Sequence, residues 1–256
     1  MTTTLFTTPR PLLGQYKVIQ TNALKSWSLL NPKPTKTVVF ADRDKEGDLA
    51  VDLAGDLAFS VEPILRRSPR NVPLLSDLFP RAQQMGDVAC YTNADIILTN
   101  DLLPALDAVA AKFDTFLAVS GRLNVQVLDY IDFSTDWLSA LHQKIREQGS
   151  RMPECAIDLF AWRGDVFGTI PDYAIGRYRW DNYLMGAPLT RGVPVIDISP
   201  VVTLIHQTHA QCPWEDPDAT ANFAIEAPAC GLKDSSHTLT KDGIVEGWCG
   251  NAPLTQ

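Results

Sequence analysis

The sequence lacks an excess of positive charge: 22 Lys and Arg residues stand against 30 Asp and Glu residues, a net charge of −8. Proteins that depend on non-specific contact with nucleic acid or with anionic membrane surfaces carry an excess of basic residues. We therefore expect no nucleic-acid partner. An anionic small molecule held by a few local cations is compatible with this charge balance.

Long apolar runs, a signal peptide and paired cysteines are missing as well. No window approaches the ~18 consecutive apolar residues of a transmembrane helix. The stretch MTTTLFTTPRPLLG (1–14) has no basic flank followed by an apolar core. The five cysteines follow no C-x-x-C spacing, and an odd, scattered set is typical of reduced thiols. These absences predict a cytoplasmic protein with no transmembrane segment.

Strand-like and helix-like segments alternate along the first half of the chain. TTTLFTT (2–8) and KTVVFAD (36–42) have the β-branched and aromatic content of strands. QYKVIQTNALKSWSLLN (15–31) places apolar residues three or four apart, as a helix does. Strands that alternate with helices predict an α/β sheet with helices on its faces. One clear extended segment follows later, PVIDISPVVTLIHQTH (194–209).

Helix ends and the last part of the chain carry further local signals. We expect Thr99 or Asn100 to cap the helix after the strand near residue 90, and Ser134 to cap the helix that ends before Gly149. From Ala210 onward the chain is rich in Pro, Gly and Cys and has little periodicity. That composition predicts coil with little regular structure.

An apolar strand, Val88 to Tyr91, is followed by two short polar residues, Asn93 and Asp95. Residues two apart in an extended chain point to the same side, and in open α/β sheets ligands bind at the carboxyl ends of the strands. Oxygen ligands in such a pair suit a hard divalent cation that also binds a diphosphate. A turn whose Asx side chains bond to their own backbone is the alternative, and these residues alone favour the turn.

Further segments change that balance, because together they resemble one enzyme family. They lie in the family's order between residues 5 and 210: FTTPRP (6–11), QTNALKSW (20–27), VPLLSDLF (72–79), YTNADIIL (91–98), IGRYRWDNYLM (175–185) and GVPVIDISPVVTLIHQTH (192–209). As a set they are similar to the GT-A-fold glycosyltransferases that use nucleotide-diphospho-sugar donors. The resemblance is to a bacterial and viral group with an N-x-D form of the D-x-D motif.

The resemblance implies a GT-A-type, Rossmann-like mixed sheet flanked by helices in a single α/β domain. Residues 1–132 would bind the nucleotide-sugar donor, 133–210 would form the acceptor-binding and catalytic half, and 211–256 would be a tail of unknown role. The implied reaction moves a sugar from a nucleoside-diphosphate donor to a hydroxyl of a glycan or glycolipid. It uses a divalent cation, Mn²⁺ or Mg²⁺, and inverts the configuration of the sugar carbon.

The implied donor site draws on residues from several segments. They are Thr7, Pro9 and Arg10 after the first strand, Asp42 after the second, Arg70 and Asp77 in or beside the VPLLSDLF segment, and Asn93 with Asp95. Arg10 suits a diphosphate as a local cation in an acidic protein. Asp42 would read the base or the ribose, and a cap of a turn or helix is an equal alternative for it. Arg70 and Asp77 are also compatible with solvated positions.

The implied metal ligands are Asp95, His206 and His209, and the metal would stabilise the departing nucleoside diphosphate. Asn93 stands where the family pattern has an acidic residue, which removes one charge and leaves metal dependence open. His206, His209 and Cys212 are spaced three apart, which also allows a zinc site, although no fourth ligand is evident. Ordinary buried or surface histidines are a further alternative.

The implied catalytic base is Asp181, at the acidic position where inverting enzymes of this fold take the proton of the acceptor hydroxyl. Its alternative role is a helix N-cap. Trp180 would offer its indole as a platform for a sugar ring or belong to the core. Arg122 and Asp158 match positions that border the donor sugar or the acceptor.

Other functions fit parts of the sequence. A sugar nucleotidyltransferase would have a related sheet but normally opens with a Gly-rich phosphate loop, and TTPRPLLG (7–14) has one glycine. A non-catalytic carbohydrate-binding domain of the same fold would bind sugar without turnover. Such a domain would tolerate replacement of Asp95 and Asp181.

Overall fold

A computed structural model describes residues 1–42, 49–210, 213, 215–227 and 230–250. Cys212 of the zinc alternative lies outside these ranges. The strands are β1 (Thr3–Thr7), β2 (Lys36–Phe40), β3 (Ser60–Glu62), β4 (Val88–Thr92), β5 (Ile96–Ile97), β6 (Phe116–Gly121), β7 (Leu123–Val125), β8 (Ser150–Arg151), β9 (Ile157–Arg163), β10 (Val195–Asp197), β11 (Ile205–Gln207), β12 (His237–Thr240) and β13 (Gly243–Glu246).

The helices alternate with these strands along most of the chain. They are α1 (Gln15–Ser28), α2 (Leu49–Asp56), α3 (Leu75–Gln83), α4 (Leu102–Lys112), α5 (Trp137–Gln148), α6 (Trp180–Thr190) and α7 (Pro217–Ala224), with a 3-10 turn at Leu232–Asp234. Within the described ranges, no helix is both long and apolar enough to cross a lipid bilayer.

The main sheet has nine strands in the order β13-β12-β10-β6-β9-β4-β1-β2-β3. Two parallel groups, β3-β2-β1-β4 and β6-β10-β12, lie on either side of β9. Strand β9 is antiparallel to both of its neighbours, β4 and β6. Its first residues therefore lie at the edge where β4 and β6 end, and this edge carries the polar residues.

A smaller sheet with the order β5-β11-β7-β8 adjoins that edge. Strand β11 is antiparallel to β5 and parallel to β7, and its His206 lies opposite Ile96. This pairing brings the residues around Asp95 alongside the residues around His206.

Helices cover both faces of the main sheet, so its central strands have no polar face. The neighbouring residues Leu5 and Phe6 of β1 point to opposite faces. Leu5 packs in one core with Trp27 of α1, and Phe6 packs in the other core with Phe79 of α3. All five residues of β1, three of them threonines, are buried.

Phe6 is the centre of an aromatic cluster beneath the polar edge. Its ring centroid lies 5.4–5.9 Å from those of Phe40, Phe79, Tyr91 and Trp162. The rings meet at steep angles, the edge-to-face arrangement that aromatic quadrupoles favour.

The expected cap of α5 is wrong. The N-cap residue is Asp136, whose carboxylate accepts the N–H of Ser139. Ser134 instead donates both its N–H and its hydroxyl to Asp132, which closes a turn before the helix. Ser and Asp side chains can each cap a helix or close a turn with an oxygen atom. The residue types at 134 and 136 therefore do not show which of the two is the cap. Gly149 follows the last residue of the helix, as expected.

The cap expected for α4 is also wrong. Its N-cap position is occupied by Asp101, whose side chain makes no cap hydrogen bond. That carboxylate accepts the hydroxyl of Thr99 and the backbone N–H of Thr203. Asn100 accepts the N–H of Asn31. The side chains of Thr99 and Asn100, which the sequence predicts as caps, bond to other groups instead.

The C-terminal part of the chain has more regular structure than its composition indicates. Strand β12 extends the main sheet through parallel pairing with β10, and β13 forms a hairpin with it. Helix α7 precedes them. The side chain of Trp248 donates to the buried carboxylate of Asp197, with 2.9 Å between Nε1 and Oδ2. The expectation of coil is wrong. Pairing with β10 and within the hairpin stabilises these short strands, whose own sequences have too little periodicity to predict them.

We expect Phe6→Ala to lower the free energy of unfolding by about 3–5 kcal/mol, because it removes the ring at the centre of the aromatic cluster. Urea unfolding followed by far-ultraviolet circular dichroism would measure the change. Leu128→Ala is the control, since Leu128 is 60% exposed and surface truncations stay within about 0.5 kcal/mol. Equal effects of the two changes would contradict the prediction.

Candidate active site

A cavity of about 890 Å³ lies at the carboxyl ends of β1, β2 and β4. Residues expected to form the functional site line it: Pro9, Arg10, Asp42, Asn93, Asp95, Arg122, Asp158, Trp180, Asp181, His206 and His209. The cavity wall therefore contains residues of both expected halves, the donor-binding part (1–132) and the acceptor-binding part (133–210). Whether that division describes two functional halves stays a prediction.

Asp95, His206 and His209 form the one group of side chains that suits a metal ion among the described residues. One ligand atom from each lies within 4.8 Å of the others. Nε2 of His209 is 2.8 Å from Oδ2 of Asp95, and Nε2 of His206 is 3.8 Å from the same oxygen. Ligand atoms at about 2 Å from one ion lie about 3 Å apart, so small adjustments would bring all three to a single cation.

The hydrogen bonds around this cluster leave ligand atoms available. Nδ1 of His209 is 2.7 Å from the carbonyl of Ala210, so the neutral ring donates there and turns its Nε2 lone pair toward Asp95. That contact is favourable only with a proton or a cation between the two acceptors. Oδ1 of Asp95 is buried without a hydrogen-bond partner in the described structure. The residues therefore fit a divalent cation.

The electrostatics of the cluster favour the ligand forms of two of its members. Burial alone would raise the pKa of Asp95, but the hydrogen bond to His209 and the charges of His206, His209 and Arg122 lower it below its usual value. Burial lowers the pKa of His206. Burial also disfavours charge on His209, yet its contacts with Asp95 raise its pKa overall. Ionised carboxylate and neutral imidazole are the forms that bind metal.

Asn93 belongs to a polar chain in the cavity wall rather than to the metal cluster. Its Oδ1 accepts the hydroxyl of Tyr91 at 2.9 Å, and its Nδ2 donates to Asp158 at 2.7 Å. The other oxygen of Asp158 pairs with Nη1 of Arg122. Asp158 is only 4% exposed. The turn alternative is correct for the backbone, since the N–H of Ile96 bonds to the carbonyl of Asn93 at 3.1 Å, but the Asn93 side chain bonds to other side chains and not to its own backbone.

Asp181 lies in the first turn of α6 and not at its N-cap position, which Arg179 occupies. Its Oδ1 accepts the N–H of Asn182. Burial raises the pKa of Asp181 to about 6, and the negative charge of Asp158 adds to this effect. A cavity-lining carboxyl with such a pKa can take up a proton near neutral pH.

Trp180 belongs to the core. Its indole is 5% exposed and lies 5.6 Å from the ring of Tyr91 and 5.5 Å from that of Phe160. Trp180 also lines the cavity, so a contact between its indole and a sugar stays a prediction.

One side of the cavity has an ion pair, of which the sequence predicted one member. Nη2 of Arg67 is 2.8 Å from Oδ2 of Asp42. Asp42 therefore has an ionic partner in the cavity wall. Arg67 was missed, because nothing in its spacing distinguishes it from Arg66 or Arg70.

Arg10 is the cation of the wall without a carboxylate partner in the described part of the chain. Its guanidinium lies 5.2 Å over the ring of Tyr16 and donates to the Tyr16 hydroxyl. Its backbone N–H and carbonyl both bond to Gln20. Arg10 is thus held in place with its charge available to an anion.

Thr7, Arg70 and Asp77 lie outside the cavity wall. Thr7 is buried at the end of β1. Arg70 is exposed, in the segment just beyond Arg67. Asp77 accepts the backbone N–H groups of residues 65 and 66 and pairs with Arg81. Its role is to hold the segment before α3.

Known proteins were compared with this chain at the levels of sequence and structure. No protein-family model and no curated protein sequence matches it. Residues 1–349 of TarS from S. aureus, in complex with UDP-GlcNAc, match with a TM-score of 0.52 and 13% identity over 83% of this chain. GalNAc-T7 with UDP, GalNAc and Mn²⁺ matches with a TM-score of 0.51 and 14% identity over 88% of this chain.

This chain has the GT-A fold. The fold class expected from the sequence is therefore confirmed. The chain spans 60% of the TarS fragment and 48% of the GalNAc-T7 chain, so these likenesses describe the arrangement of the sheet and helices and not the activity.

We expect Mn²⁺ to raise the melting temperature of this GT-A protein, because the ion binds the folded cluster and not the unfolded chain. At ~100 times the dissociation constant, the added stability is about 2.7 kcal/mol. Asp95→Ala removes the shared carboxylate and should abolish the shift, whereas Asp107→Ala on the exposed face of α4 should keep it. Differential scanning fluorimetry with and without Mn²⁺ measures both; an equal shift in the two variants would place the ion elsewhere.

Proposed function

We propose that this chain is a metal-dependent glycosyltransferase that moves a sugar from a nucleoside-diphosphate donor to a hydroxyl of a glycan or glycolipid. One observation supports this above others. A single cavity holds both a carboxylate–histidine cluster suited to a divalent cation and, at Asp181, a carboxyl group whose pKa is near 6. Leaving-group stabilisation and proton removal are the two requirements of this reaction.

The donor class is inferred from the fold neighbours and the cations of the wall. TarS is in complex with UDP-GlcNAc and GalNAc-T7 with UDP, GalNAc and Mn²⁺. In this chain Arg10 would bind a diphosphate, since its guanidinium has no carboxylate partner in the described residues. Asp42 and Arg67 would lie beside the base or the ribose.

Asp95, His206 and His209 would hold the cation, and Asn93 would support the site through Asp158. When bound, the cation supplies positive charge that stabilises the diphosphate leaving group. Imidazole ligands are more usual for transition metals than for Mg²⁺, which favours Mn²⁺ of the two expected ions.

Asp181 would act as the base of an inverting displacement. The acceptor oxygen forms a bond to the sugar carbon as the bond from that carbon to the diphosphate oxygen breaks. The acceptor proton moves to the carboxylate of Asp181. With a pKa of about 6, this group is ionised at neutral pH and still basic enough to take the proton.

The alternatives differ from this proposal in ways that the site makes testable. The loop after β1 places Pro9, Arg10 and Pro11 at the cavity, and Gly14 begins α1 beyond them, so it is no Gly-rich phosphate cradle of a nucleotidyltransferase. A non-catalytic carbohydrate-binding domain would not require the carboxyl group of Asp181.

We expect one nucleoside diphosphate among UDP, GDP, CDP and dTDP to stabilise the protein together with Mn²⁺, and to do so much less without it. The reason is that the cation offsets the repulsion between the diphosphate and Asp95. A thermal-shift panel of the four nucleotides with and without Mn²⁺ measures this. A shift that is equal without metal and in Asp95→Ala would contradict metal-dependent donor binding.

We expect Asp181→Asn to reduce turnover by about 10²–10⁴-fold, because the amide cannot accept the proton. The wild-type rate should fall as the pH decreases through about 6, where Asp181 becomes protonated. Release of the nucleoside diphosphate from the matching nucleotide sugar, with a glycan acceptor, measures both. Asp114→Asn at an exposed position should behave like the wild type; full activity of Asp181→Asn would refute the assigned base.

A further inference from the structure

The described tail residues 215–227, which match no family motif, pack against the cavity wall. Two wall segments receive them. The first, residues 66–73, includes the cavity-lining Arg67, and the second, residues 174–179, leads into α6 and Asp181. The segments also bond to each other, since Ile175 donates its N–H to the carbonyl of Pro73 at 3.0 Å.

Asn222 on α7 makes the central contact. Its side chain is buried, and its Oδ1 accepts the N–H of Ala174 at 2.9 Å. Its Nδ2 donates to the carbonyls of Ala174 and Tyr178, each at 3.0 Å. The amide of Asn222 therefore holds both ends of the second wall segment. It accepts one N–H through its oxygen and donates to two carbonyls through its nitrogen, a combination that a carboxylate cannot make.

Acidic residues of the same part of the tail bind both wall segments. The buried Asp218 accepts the hydroxyl of Ser68 at 3.0 Å. Asp216 pairs with Arg177, with 3.1 Å between Oδ1 and Nε. These contacts join the tail to the wall on either side of Asn222.

The start of α6 depends on support from the tail. Its N-cap residue, Arg179, has a φ of 81° and makes no side-chain cap. A left-handed backbone at a residue with a Cβ is strained and persists only when neighbours hold it. Arg179 donates to the carbonyl of Ala227 at 2.8 Å, and Asn182 donates to the carbonyl of Cys230 at 2.8 Å. The tail thus binds the turn that presents Asp181.

We propose that Asn222 is a positioning residue: through it, α7 clamps the two wall segments and holds the start of α6 in the geometry that the cavity requires. The choice of nucleotides as cavity ligands rests on the proposed function. The role of Asn222 in holding the wall segments does not depend on that choice, so either proposal can fail without the other.

The first experiment is hydrogen–deuterium exchange on Asn222→Asp. The carboxylate keeps the acceptor for Ala174 but places an oxygen against two carbonyls, so the wall segment should open. We expect exchange over residues 174–182 to rise by about tenfold or more, with little change in β1 and β4. The control is Thr238→Val, which removes two hydrogen bonds of the tail at β12, far from the wall.

The outcomes of this experiment decide the clamp without any ligand. Faster exchange confined to 174–182 in Asn222→Asp, and absent there in Thr238→Val, supports it. Unchanged exchange in that segment overturns it, and so does an equal rise throughout the sheet. If Asn222→Asp fails to fold, Asp218→Ala tests the same clamp from the tail side, because it removes the acceptor of the Ser68 hydroxyl and keeps the bonds within the segment, and it should raise exchange over 66–73.

The second experiment uses ligand coupling, which a merely structural role would not produce. UDP, GDP, CDP and dTDP, each with Mn²⁺, are the probes. The nucleotide that binds the wild type should slow exchange in α7, and by reciprocity Asn222→Asp should weaken that nucleotide by about 5-fold or more. Thr238→Val should keep both the affinity and the coupling.

The two proposals separate cleanly in these results. Nucleotide binding with unchanged exchange in α7, and with equal affinity in Asn222→Asp, overturns the coupling and leaves the proposed function intact. If none of the four nucleotides binds the wild type, the proposed donor class fails. The exchange of 174–182 alone then decides whether Asn222 holds the wall.

Discussion

The site depends on the burial of one charge. Asp158 lies at the start of β9, 4% exposed, with the amide of Asn93 on one side and the guanidinium of Arg122 on the other. A carboxylate this deep is stable only when it is paired and hydrogen-bonded. Asn93 and Arg122 therefore offset the cost of burying this carboxylate where β9 enters the sheet between β4 and β6. Because Asn93 also accepts the Tyr91 hydroxyl, the same network ties the polar edge to the aromatic core.

Strand pairing then brings Asp95, His206 and His209 together beside this network. The antiparallel contact of β5 with β11 places His206 opposite Ile96, and the N–H of Gln207 bonds to the carbonyl of Asp95. Backbone hydrogen bonds thus bring a carboxylate and two imidazoles together before any ion is considered. The contact between His209 and Asp95 is favourable when a proton or a cation lies between Nε2 and Oδ2.

The last part of the chain completes the wall from behind. Helix α7 binds the segment before α6 through Asn222, and Trp248 binds Asp197 at the end of β10. Asn222 donates to a backbone carbonyl of that segment, and Trp248 donates to a buried carboxylate. The first half of the chain therefore forms the sheet edge, and the tail determines how the loops above that edge are held.

Sequence by itself determined the features that depend on near neighbours. The strand within 2–8 and the helix predicted over 15–31, which ends at Ser28, follow from local pattern, and the family resemblance assigned expected roles to the polar residues after Tyr91 and to the acidic residue after Trp180. Tertiary structure alone decided that Arg67 rather than Arg70 lines the cavity, that Trp180 is core, and that α7 clamps the wall. These outcomes depend on strand order and on partners far away in the chain. The energy of such pairings is absent from any window of adjacent residues.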